Sequence, residues 1–281
     1  MRSFSKGLAA LSVLLAEPAF AQEYPDLGPP GDKPPIALMG TVPIYWGEAA
    51  DMGELLRGEA QLHWARFLIE TEARPVPLDY LGAEALAPFD MLLMAQPRGL
   101  TGEENVALDA WVRGGGRLLL FADPMMTGES RFGIGDRRRP QDVALLSPIL
   151  AHWGLELQFD ELQGEGLTTV EFIGTGVPVN MRGRIVAREG ATGCLFHADN
   201  VIAQCKFGAG EVLVVADAAL TDLAGPYPGA EEALQALLVQ AFPEFGDNAG
   251  EQPVTRADSL VNRGISREIA ANGGVQPPSE E

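Results

Sequence analysis

Three runs constrain this chain more than anything else in it: MLLMA within Phe89–Pro97, RLLLFAD at Arg117–Asp123 and EVLVVAD at Glu211–Asp217. Each is apolar without alternation. A strand of that kind must be covered on both faces, which is the habit of parallel sheets flanked by helices. Between the first two lies TGEENVALDAWVRGGG, where Thr101 and Glu104 form a capping box and Gly114 marks a helix stop. Upstream, a strand-like run at Ile36–Trp46, helical spacing over Glu54–Ala73 and a short strand at Val76–Leu81 complete a β-α-β-α-β alternation. The sequence predicts an α/β fold, a doubly wound and mostly parallel sheet with helices on both faces.

The second half changes character. After a helix expected near Gln141–Trp153, the runs LELQFDE, TTVEFI, GRIVA, CLFHA and VIAQCKF are short and punctuated by glycine. They predict an antiparallel β excursion before the chain returns to the Gly210–Asp217 strand and a helix near Ala230–Phe242. The expected organisation is a signal peptide at 1–21, a proline-rich linker at 22–35, one α/β domain at 36–245 and a disordered tail at 246–281. Within that tail Leu260, Val261, Ile265 and Ile269 suit a short amphipathic helix, either transient or docking on a partner.

The leader reading rests on Arg2 and Lys6, the apolar run Gly7–Ala16 and the Ala19-Phe20-Ala21 cleavage pattern before Gln22. The apolar run is about half of the roughly 20 residues a span needs. The mature chain is expected in the periplasm and not across the membrane. Cys194 and Cys205 lie symmetrically about Asp199-Asn200, a turn dipeptide, so an oxidising compartment favours a disulfide between them, with a free buried pair as the alternative. A two-residue turn would put the cysteines at a hydrogen-bonded pair, where bridging is strained. The formal charge of −19 argues against nucleic acid as a partner.

FDMLLMAQPRGLTGEENVALDAWVRGGGRLLLFADP, LLSPILAHWGLELQFDE and CKFGAGEVLVVADAAL together resemble the auxiliary proteins of ABC-type uncharacterized transport systems, the gliding-motility-associated group. The resemblance implies a flavodoxin-like, class I glutamine-amidotransferase-like α/β domain outside the membrane, with transporter or other envelope proteins as partners. It is carried mostly by fold-building residues, and the chain lacks the membrane helices typical of larger members of the group.

Ligands of open α/β sheets bind at the carboxyl ends of the strands. Asp123 and Asp217 lie at such ends, and Glu48 and Asp51 follow the first strand. Converging carboxylates can hold Mg²⁺ or Ca²⁺, but an Asp before Pro also caps a turn, and capping is the expected role of Asp123. No catalytic set is expected. Both cysteines lie in the late hairpin, Ser130 is followed by Arg131 and Phe132 where a nucleophile needs small neighbours, and His63 and His152 each precede a tryptophan in a helix. With His197, the histidines and cysteines show no zinc-ligand spacing, and no cofactor is expected. Arg131, Arg137, Arg138 and Arg139 form a cationic loop that suits an anionic or carbohydrate-bound ligand, or else neutralises nearby carboxylates. Tyr45 and Trp46 offer a stacking face for a sugar or peptide, or pack the core. The functional expectation is a non-catalytic accessory or binding component of envelope transport. The rivals are a hydrolase using the acidic strand ends and a scaffold without a small ligand.

Overall fold

The computed structural model describes residues 33–49, 52–57, 62–189, 192–222 and 228–247. The leader, Asp51 and the tail from residue 248 onward lie outside these. In chain order the elements begin with β1 (Pro35–Gly40), α1 (Met52–Arg57), α2 (Trp64–Glu72), β2 (Arg74–Pro77), α3 (Ala83–Leu86), β3 (Met91–Ala95), α4 (Gly102–Arg113) and β4 (Arg117–Phe121). There follow α5 (Ser147–His152), β5 (Leu155–Phe159), β6 (Thr168–Phe172), β7 (Thr175–Val179), β8 (Gly183–Ala187), β9 (Cys194–His197) and β10 (Ile202–Phe207). The series closes with β11 (Gly210–Val215), α6 (Ala219–Asp222), α7 (Ala230–Ala241) and α8 (Glu244–Asp247).

The central sheet runs β2-β1-β3-β4-β11-β10-β9. Its first five strands are mutually parallel, and β10 and β9 add antiparallel to the β11 side. Alternate residues of each strand feed two separate cores, as the period of a strand requires. Ile36 and Leu38 of β1 join Leu119, Phe121, Leu213 and the α2 and α7 residues Ile69 and Leu234 on one face. Ala37 and Met39 join Leu118, Leu120 and the α4 and α5 residues Leu108 and Ile149 on the other. The fold is thus mixed α/β, with a mostly parallel sheet between helices and an antiparallel insertion between β4 and β11.

The α4 capping box forms as the sequence predicts: Thr101 Oγ1 accepts from Glu104 N at 3.2 Å and Glu104 Oε2 accepts from Thr101 N at 2.8 Å. The helix ends at Arg113, and Gly115, at φ 121°, supplies the backbone reversal that a side chain would resist. Four expectations change. The first strand stops at Gly40, because Thr41 N turns aside to the carbonyls of Ala95 and Gln96 and Pro43 offers no donor. The long helix is two: His63 is extended and caps α2, its Nδ1 accepting from Ala65 N at 3.1 Å. α5 begins only at Ser147, with Pro148 in its first turn, and β7, which carries Pro178, was not expected.

Cys194 and Cys205 are disulfide-bonded and opposite each other in β9 and β10. The turn between them is longer than expected. Ala198, Asp199 and Asn200 all have positive φ, and strand pairing closes at His197 with Ile202. Lys206 N bonds Gly193 O at 2.9 Å, so the adjacent cysteines fall at a non-hydrogen-bonded pair, where the Cα atoms come close, here 4.0 Å. The cysteines thus occupy the other kind of strand pair from the one a two-residue turn would give.

Candidate functional site

The carboxyl edge of the parallel strands gathers the segments that follow β1, β3, β4 and β11. Gln96 directly after β3 is fully buried and has φ 46°, an uncommon conformation for a residue with a side chain. Its Nε2 donates to the carbonyls of Asp123 (3.0 Å) and Gln141 (2.9 Å), and its Oε1 accepts from Asp123 N (2.8 Å). Thr41 Oγ1, after β1, donates to Gln96 O at 2.5 Å and accepts from Gln141 N at 2.9 Å. These two side chains stitch three strand ends together.

Beside them stand three carboxylates. Asp123 Oδ1 accepts from Met125 N at 2.8 Å, the turn cap expected from sequence, and its Oδ2 accepts from Ala218 N at 3.0 Å across the sheet. Asp217 Oδ1 accepts from Ala219 N at 2.7 Å, and its Oδ2 holds Asn180 N, just after β7, at 2.9 Å. Asp222 lies against Gly128, where a Cβ would fall 1.5 Å from Asp222 Oδ2, so any larger residue there would force the carboxylate to move. Burial raises the carboxyl pKa of Asp123, against the pull of its two backbone bonds. Burial and then the Asp123 charge raise Asp217 well above the usual carboxylate range. The same two causes lift Asp222 to about 7. His63 stands near α6 and is lowered to about 4 by burial, against a bond to the Thr221 backbone.

Glu48 adds a smaller charge effect that also raises Asp222. It binds the loop after β4, accepting from Ser130 Oγ at 2.6 Å and Arg131 N at 3.1 Å. Arg131 reaches back to Glu48 O at 2.8 Å and lies 3.8 Å from Glu54. Arg138 pairs with Asp136 at 2.7 Å and stacks over Phe132, and Arg139 pairs with Asp142 at 3.0 Å. Arg131, Arg137 and Arg138 are all exposed, and of these Arg137 is bonded to nothing among the described residues. Tyr45 packs partly into the core beneath Arg66, 4.3 Å from its ring centre, whereas Trp46 is 52% exposed. His152 pairs with Asp109 at 3.2 Å, and His197 packs edge-on against Phe172 with its Nε2 buried and unbonded. Among the described residues, no three His, Cys, Asp or Glu side chains are grouped to hold a metal ion, and no helix is long and apolar enough to cross a membrane.

Asp123 and Asp217 stand at neighbouring strand ends, and the sequence reading did not single out Gln96, Thr41 or Asp222. Gln96 was hidden at the end of an apolar strand, although a glutamine before Pro97 at a strand end was a visible signal. Asp222 lay one short turn beyond Asp217, a spacing that brings both carboxylates to the same edge.

Residues 67–173 match the family model described as ABC-type uncharacterized transport system, which covers α4, β3 and β4 and the start of the insertion. No curated protein matches the chain. Among solved structures, the chain is similar to the exo-β-1,4-mannosidase Op5Man5 from Opitutaceae bacterium strain TAV5, at 14% identity and a TM-score of 0.41, over 78% of this chain and 36% of that one. The mmIFT52 N-terminal domain aligns at 13% identity and a TM-score of 0.43, over 74% and 96%. A β-galactosidase from Rahnella sp. R3 aligns at 13% and a TM-score of 0.40, over 74% and 31%. The chain spans about a third of the length of the two glycosidases. None of these likenesses is close enough to bear on function.

Proposed function

We propose that this chain is a non-catalytic accessory or binding component of an ABC-type transport system, working in the periplasm after removal of residues 1–21. One observation carries the non-catalytic part. At the edge where α/β sheets bind ligands, Gln96, Thr41, Asp123 and Asp217 are all bonded to the protein's own backbone. A catalytic carboxylate must reach a substrate atom, and these reach strand ends instead. The family match over residues 67–173 supports the transport part, and the disulfide fits an oxidising compartment. The strand order β2-β1-β3-β4-β11 supports reading the sheet as flavodoxin-like, and the amidotransferase-like reading rests on sequence resemblance alone.

A second reading, a hydrolase, draws on the raised carboxyls of Asp123 and Asp222, since such groups also mark general acids. A photo-crosslinking residue in place of Arg137 separates the readings in producing cells. Transporter subunits are expected in the captured material. Efficient labelling without any specific partner counts against the transport reading. Mass measurement of the native polypeptide is expected to find Gln22 first, and an intact Met1 would remove the periplasmic assignment.

A further inference from the structure

The sheet changes direction of growth between β1 and β3. The chain leaves β1 for β2 on one side and returns for β3 on the other, and open parallel sheets form a crevice outside the strand ends at such a reversal. A cavity of about 90 Å³ lies there. Its floor is apolar and buried, formed by Leu38, Ile44, Leu93 and Ala95, while its mouth carries the exposed Trp46 and Asp79. Leu38 and Met39 both line it, although they feed opposite faces of the sheet, so the cavity sits at the strand ends and not over a face.

Size restricts the occupant. Pockets for whole small-molecule ligands run to about 300–1,000 Å³. An apolar cavity of about 150 Å³ takes benzene. The space here suits a single aliphatic side chain, and the floor presents no charged group to it. Charge restricts what lies beside that side chain. Arg66 is bound to Glu70 at 2.7 Å and Arg98 to Glu104 at 2.7 Å, so each neighbouring cation already has its own carboxylate. The Asp79 carboxylate receives no hydrogen bond or ion pair among the described residues, although Arg98 senses its charge. It adds to a chain of net charge −19, which draws basic partners.

We infer that the cavity at the ends of β1, β2 and β3 is a docking hole for a partner protein segment that presents one aliphatic side chain next to a lysine or arginine. The aliphatic group enters past Trp46, and the cation meets Asp79 at the rim. This inference rests on the cavity and its charges, so it stands or falls separately from the transport reading.

The test is an NMR titration of the full chain, reading methyl groups on the floor and the Trp46 indole, with an acetylated glycine-leucine-arginine-glycine amide. Saturable shifts are expected at Leu38, Leu93 and Trp46. Exchanging leucine for glycine in the peptide should abolish them, and exchanging arginine for glutamate should weaken binding about threefold or more. Asp79→Lys should reverse the preference between arginine and glutamate. Trp46→Ala, at an exposed position, should leave the remaining spectrum intact and weaken binding. Absence of saturable floor shifts overturns the proposal, as do equal shifts from the glycine peptide or equal binding of the glutamate peptide. Saturable shifts from methyl mannoside in place of the peptide would make the cavity a sugar site and overturn it too.

Discussion

Asp123 serves two parts of the chain at once. One carboxylate oxygen caps the turn leading to Met125, and the other holds Ala218 N at the end of the neighbouring strand. Removing both acceptors strands two backbone donors in a buried place, so Asp123→Ala is expected to lower stability by about 1–3 kcal/mol. Asn keeps one acceptor and removes a charge that raises its neighbours Asp217 and Asp222, so Asp123→Asn should stay within about 1 kcal/mol of wild type. Thermal unfolding of the three proteins at pH 7 decides between these expectations. If Asn proves as damaging as Ala, and Mg²⁺ or Ca²⁺ raises the melting temperature of wild type alone, the trio is a cation site and the capping account is wrong. The capping role was legible in sequence because Asp before Pro limits the local backbone. The cross-sheet bond was not, since it joins residues 95 positions apart.

At the scale of elements, the parts read correctly were those whose signal is local. The capping box of α4 needs only Thr101 and Glu104, and the buried strands need only continuous apolar character. The structure adds that Glu104 is fully buried, accepts from Leu81 N, and takes two bonds from Arg98. Burial works to raise its carboxyl, but those bonds outweigh it and hold the group at about 2. Thr101→Ala is therefore expected to cost about 1 kcal/mol, the usual worth of a cap. Glu104→Ala should cost about 3 kcal/mol or more, because it also strips Arg98 and Leu81 of their partner. Denaturant midpoints measure both, and equal losses would show that the Arg98 and Leu81 contacts contribute nothing. The misread elements had ambiguous local signals. The periodicity of residues 54–73 ran through His63, a residue type that seldom caps, and β7 carries Pro178, which a two-stranded hairpin tolerates. The disulfide pins the edge strand β9 to β10, and its reduction should cost about 2–4 kcal/mol. Hydrogen exchange should then quicken first in β9, and uniform quickening across the sheet would contradict that localisation.

Over the whole molecule, the architecture was legible because strand and helix periods repeat along the chain, whereas the carboxyl edge is assembled by bonds between residues 27, 37 and 95 positions apart. That assembly gives the protein a characteristic response to acid. Asp123, Asp217 and Asp222 have folded pKa values above the ordinary 3.8, so the folded chain keeps protons that the unfolded chain releases. Their stabilising effect is fully present below about pH 4, and is lost as pH rises through about 6 for Asp123 and about 7 for Asp222. His63 acts in the opposite sense. Its folded value is about 4 against an ordinary 6.5, so its contribution is present above 6.5 and lost as pH falls. Three carboxyls outweigh one imidazole, and the melting temperature is expected to rise as pH is lowered from about 8 to about 5.5. Exposed carboxylates stay ionised over that range, so their mutual repulsion in a chain of charge −19 is nearly constant with pH and is relieved by salt. Salt at about 0.5 M should raise the whole melting curve while leaving its slope against pH, because buried groups are screened far less than exposed ones. Asp222→Asn should flatten that slope in part. A slope that disappears in salt, or one untouched by Asp222→Asn, would show that surface charge and not the strand-edge trio governs the response.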